Sequence, residues 1–169
     1  MNDLIIKIKH NPKVLLYILF AFYIFQSFIY VQFADTGLDE GMWLMKSWWY
    51  VNNKIEPYSL QDATWYMPIW FWVLGIWQKV WGVGHLSGRI LSAILGFGVL
   101  KMVFLIGTKI YKDEKWGIFA VGLLVLTPIS NWYYNITNSY SFMSLIQLII
   151  IWILINKNRY PERISAVLL

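Results

Sequence analysis

Two neighbouring acids, Asp39 and Glu40, follow a long uncharged run of apolar residues. A carboxylate held at such a boundary can act as a general base, taking a proton from an acceptor hydroxyl. The plainer reading is that both acids cap a surface helix, because carboxylates favour the positive helix terminus. Arg89 opens a second apolar run, HLSGRILSAILGFG. Its guanidinium either grips a phosphate through paired hydrogen bonds or anchors the run at the membrane interface. Tyr58 lies within Ile55-Glu56-Pro57-Tyr58, and Asn138 in the uncharged stretch NWYYNITNSY. The chain has no cysteine, which removes thiolate zinc sites and cysteine nucleophiles together. Its two histidines, His10 and His85, are too far apart to suggest a metal site. No nucleotide-binding glycine loop, zinc motif or serine-histidine-aspartate arrangement is present.

The elements that carry these residues are set by composition. Of 169 residues, 59% are hydrophobic and only 14% charged, with a mean hydropathy of +0.52. A soluble domain carries about a quarter of its residues as charges, and a disordered chain needs low hydrophobicity and high charge. Both are excluded in favour of an all-α integral membrane protein, a polytopic helical bundle. About 20 apolar residues cross the hydrocarbon core, and the sequence predicts spans at about 14–34, 86–111, 116–132 and 140–156. Pro128 is expected to end or kink the third of these near its outer end. Lys101 lies deep in the second span, where a charge is costly unless it faces the bundle or reaches the inner surface; a structural role is expected.

The outer loop, about 35–85, holds eight of the eleven tryptophans. DEGMWLMKSWWYVNN reads as an amphipathic helix leading to a turn at Glu56-Pro57-Tyr58. Tyr66 to Gly82 is apolar but short and studded with tryptophan, which prefers the headgroup level. Lysine and arginine settle whether it crosses. With that segment lying flat, Lys7, Lys9, Lys13, Lys109, Lys112, Lys115, Lys157, Arg159 and Arg163 all fall inside, as the positive-inside rule requires. Two juxtamembrane interfacial helices in the first outer loop are therefore expected. The protein is expected in the plasma membrane as a multi-pass chain with a cytoplasmic amino terminus.

The order of one span, Asp39-Glu40, Ile55-Glu56-Pro57-Tyr58, an aromatic stretch containing Tyr66-Met67-Pro68, then Gly82 and Arg89 opening a span, resembles the amino-terminal module of glycosyltransferase C superfamily enzymes. Protein O-mannosyltransferases and the aminoarabinose transferases of lipid A are members. The resemblance covers nearly the whole chain through short motifs. It implies two juxtamembrane helices in the first outer loop and an acidic pair whose leading aspartate is the catalytic base, which maps onto Asp39, with Glu40 beside it. It also implies more spans than are seen here, so residues 1–169 are expected to form one membrane module at the amino-terminal part of a longer protein. Many relatives carry a second acid before the fourth span; here that stretch has none, and Asn138 or Ser139 would take its place.

Under this resemblance the chain is an inverting membrane glycosyltransferase. It would take sugar from a polyprenyl-phosphate donor to a protein, lipid or glycan acceptor on the outer face. Asp39 would be the base, Glu40 would assist, and Arg89, Tyr58 and Asn138 would bind substrate. No cofactor is demanded by any motif, a divalent metal is left open, and no nucleic-acid partner is expected. The alternative is a non-enzymatic scaffold or lipid-binding subunit whose aromatic helices rest on the bilayer. Asn135-Ile136-Thr137 matches an N-glycosylation acceptor, but it is placed too near the membrane to be reached.

Overall fold

A computed structural model describes residues 11–35, 38–55 and 68–157, and their regular structure is helical throughout. The elements are α1 (Lys13–Phe33), α2 (Leu38–Val51), α3 (Pro68–Trp81), α4 (His85–Tyr111), α5 (Glu114–Leu126), α6 (Pro128–Asn135) and α7 (Tyr140–Lys157). By length and apolar composition α1, α4 and α7 are each able to cross a membrane. Their large apolar side chains, among them Phe25, Phe28, Ile94, Ile150 and Ile153, are widely exposed, as helices solvated by lipid require.

The expected third span, 116–132, is not one continuous helix. α5 stops at Leu126, and α6 leaves it at 77°. Pro128 has no N–H to continue the ladder and instead occupies the first turn of α6, where none is needed. The carbonyls freed at the break are recovered by side chains: Thr127 Oγ1 donates to the Leu123 carbonyl at 2.5 Å, and buried Asn131 Nδ2 to the Val125 carbonyl at 2.6 Å. By length and apolar composition the bent pair is either a broken span or a re-entrant loop.

α4 is the centre of the bundle, packing on α5, α7, α1, α6 and α3. One core cluster joins Leu16, Leu19 and Tyr23 of α1 to Leu100 of α4 and to Val121 and Val125 of α5. α4 and α5 approach closely because both are glycine at the contact: a Cβ added at Gly117 would lie 2.5 Å from the Phe104 carbonyl. Their turn is tight, with Lys112 left-handed at φ 55 and Asp113 accepting from the Lys115 N–H at 3.0 Å. An exposed ion pair, Lys13 to Glu114 at 3.1 Å, marks where α1 and α5 both begin. Lys13, Lys109, Lys112, Lys115 and Lys157 consequently gather at one end of the bundle, and α2 and α3 lie at the other.

α2 and α3 form a pair of short helices resting on α4. α3 is about 21 Å long, too short to cross a core of about 30 Å. It buries Trp70, Phe71, Leu74 and Gln78 while exposing Ile69, Trp72, Ile76 and Val80. Gly75 permits the approach, since a Cβ there would lie 2.5 Å from the Ser47 carbonyl. Buried Gln78 Nε2 donates to Ser47 Oγ at 2.8 Å across the same contact. A second core cluster, Leu44, Trp70, Leu74 and Leu91, ties the pair to α4.

Candidate functional site

Adjacent residues on a helix point about 100° apart, and this separates the two acids that open α2. Glu40 turns inward and is 2% exposed; Asp39 remains exposed. Glu40 meets Arg89 of α4, which is 3% exposed, in a bidentate pair: Nε donates to Oε1 at 3.0 Å and Nη2 to Oε2 at 2.6 Å. Glu40 Oε1 also accepts the backbone N–H of Thr137 at 2.7 Å. Arg89 reaches further, to the carbonyls of Ala34 at 2.8 Å, Asp35 at 3.1 Å and Val31 at 3.4 Å.

One guanidinium thus uses all five of its N–H donors. It joins the end of α1, the start of α2 and α4, and through Glu40 the segment between α6 and α7. Burial pushes the Glu40 carboxyl upward, but the Arg89 hydrogen bonds, the Thr137 N–H and the charges of Arg89 and His85 outweigh it and hold the group below the usual glutamate range. Both side chains are fully engaged by these contacts.

Gly88, one residue before Arg89, makes this junction possible. A Cβ there would lie 2.5 Å from Thr137 Oγ1 and 2.9 Å from Leu44 Cδ2. Gly88→Val is expected to push the 136–139 segment off α4 and lower stability by about 1–3 kcal/mol. Thermal unfolding of the purified protein in detergent reads this directly, and an unaltered midpoint would show that the close approach is dispensable.

The remaining sequence-derived residues fall as follows. Asn138 is buried and accepts from the Tyr140 N–H at 2.8 Å, shaping the entry to α7. Its Nδ2 has no partner among the described residues, nor have Thr137 Oγ1, Ser141 Oγ, Ser92 Oγ and Asn135 Oδ1. Asn135 and Thr137 are fully buried, so the glycosylation triplet is closed off within the fold. Tyr58 and the turn at Glu56-Pro57 lie outside the described residues. Among the described residues no three histidines or acids gather as metal ligands do.

Sequence reasoning missed the carbonyls of Val31, Ala34 and Asp35 and the N–H of Thr137, because backbone groups leave no mark in side-chain identity. Opposite charges at Glu40 and Arg89, both at the α2/α3 end of the bundle, were the one available signal of the pair. Beside this junction an apolar groove of about 520 Å³ runs between α1 and α4, lined by Tyr23, Ser27 and Val31 on one side and Leu86, Ile90 and Phe97 on the other. Val31 belongs both to the groove and to the carbonyl set around Arg89. Comparison of the chain with protein-family models, with curated proteins and with solved structures gives no match.

Proposed function

We propose that this chain is a module of a membrane glycosyltransferase that takes its sugar from a polyprenyl-phosphate donor, with Asp39 as the general base. The observation that carries the reading is the division of labour within the acidic pair. Glu40 is consumed by Arg89 and Thr137, which ties the start of α2 to the bundle, while Asp39 stays exposed on the first turn of the same helix. A base must be both positioned and reachable, and Asp39 is both. Arg89, with every donor used, serves in this reading to position α2 rather than to grip the phosphate. The apolar groove between α1 and α4 offers an isoprenoid tail a lipid-accessible course to the same end of the bundle. The lysine-rich end would face the cytoplasm and the α2/α3 end the outer surface of the plasma membrane.

The second reading is a scaffold, and one observation favours it: the Glu40–Arg89 junction is saturated and closed, as a purely structural lock would be. Transfer of radiolabel from a panel of polyprenyl-phosphate sugars to membrane acceptors separates the two. The wild-type protein is expected to transfer label and Asp39→Asn, at matched amounts, is not. Absence of transfer from the wild type with every donor would favour the scaffold.

A further inference from the structure

Lys101 is exposed on α4 and makes no hydrogen bond or ion pair with the described residues. It lies about 15 Å from the Tyr111 end of a helix about 40 Å long. Lys109, near that end, marks the level of the lysine-rich surface, and Lys101 is about 12 Å deeper. A lysine side chain spans only about 6 Å. Its Cα–Cβ bond also tilts toward the helix N-terminus, which here is the far end of the bundle. Snorkelling to the nearby surface therefore runs against both reach and direction.

No described neighbour relieves it. On one side Phe97 packs against Phe20 of α1, with centroids 5.0 Å apart; on the other Gly98 meets Leu145 of α7. α1 carries no charge after Lys13, and α7 none before Lys157. The nearest acids on the elements packed around α4, Asp113 and Glu114, sit about 18 Å further along the axis, and Glu114 already holds Lys13. A second copy cannot supply a partner from its described helices, since Asp35, Asp39, Glu40, Asp113 and Glu114 all lie at helix ends.

We propose that Lys101 marks a docking site for a further membrane-spanning helix that carries an aspartate or glutamate at the same depth. That helix crosses α4 over Phe97, Lys101 and Leu105, between α1 and α7, and is apolar elsewhere along the contact. A carboxylate–ammonium contact in hydrocarbon is selective because an unpaired charge there has no solvent to fall back on, and it fixes depth and partner identity together.

The test uses the full chain in phosphatidylcholine vesicles and a leucine-rich single-span peptide with one central glutamate, beside its glutamine twin. Association is read by energy transfer between labelled protein and peptide. The wild-type chain is expected to bind the glutamate peptide about tenfold more tightly than the glutamine peptide, Lys101→Arg to keep that preference and Lys101→Met to lose it. Equal binding of the two peptides by the wild-type chain would overturn the proposal without reliance on any variant. So would a preference that survives in Lys101→Met, or, in vesicles that also contain phosphatidylglycerol, a Lys101→Met effect confined to retention of that lipid, which would make a lipid phosphate the occupant.

Discussion

Glu40→Gln is expected to destabilise the protein by about 3–5 kcal/mol, because it leaves Arg89 as a buried cation without its counter-charge. In thermal unfolding this is a fall on the order of 10 °C for a chain of this size. Arg89→Met is expected to cost a similar amount for the converse reason, since the Glu40 carboxylate would keep only the Thr137 N–H. The double variant Glu40→Leu with Arg89→Met removes both charges and is expected to recover much of the loss, because a buried ion pair and a well-packed apolar pair are often close in free energy. The coupling between the two sites, read from the four midpoints, is then large and favourable. Additive losses would mean that the pair is not the unit that holds α2 to α4.

Acid should expose the same interaction. The Glu40 carboxyl is held below its ordinary range, so the folded state binds its proton less readily than the unfolded state. Its contribution to stability is complete above the unfolded pKa and disappears as pH falls through the folded pKa. The wild type is therefore expected to lose stability on acidification below the ordinary glutamate range, and Glu40→Gln to lack that component. Parallel curves of midpoint against pH for the two proteins would contradict the assignment.

Asp39→Asn should behave in the opposite way to its neighbour. The side chain is exposed and contributes no contact to the junction, so stability is expected to stay within about 0.5 kcal/mol of the wild type. Transfer from the polyprenyl-phosphate sugar is expected to fall about 10²–10⁴-fold, the usual contribution of a positioned base. Asp39→Glu, which keeps the carboxylate but moves it by one methylene, is expected to retain part of the rate. The contrast between positions 39 and 40 is the sharper observation. A lost rate with unchanged stability at 39, beside a weakened fold at 40, distinguishes a base from a general weakening of the loop. Undiminished transfer in a well-folded Asp39→Asn would remove the base from the mechanism.

Run length and charge alone determined the all-helical membrane character and most helix limits, because a bilayer imposes one length scale on every span. The expected 14–34, 86–111 and 140–156 became Lys13–Phe33, His85–Tyr111 and Tyr140–Lys157. The same economy identified Tyr66 to Gly82 as too short and too tryptophan-rich to cross, and its described part is the 14-residue helix Pro68–Trp81 packed on α2. Pro128 announced a disruption, but whether it would kink a span or end it depended on Asn131 and Thr127 being placed to recover the freed carbonyls. Tertiary structure alone decided which of two adjacent acids is buried, that Arg89 closes on Glu40 across 49 residues, and that Lys101 faces outward with no partner among the described residues. Those outcomes depend on helix rotation and on backbone groups brought from distant parts of the chain, and neither is encoded in the spacing of side-chain types along one segment.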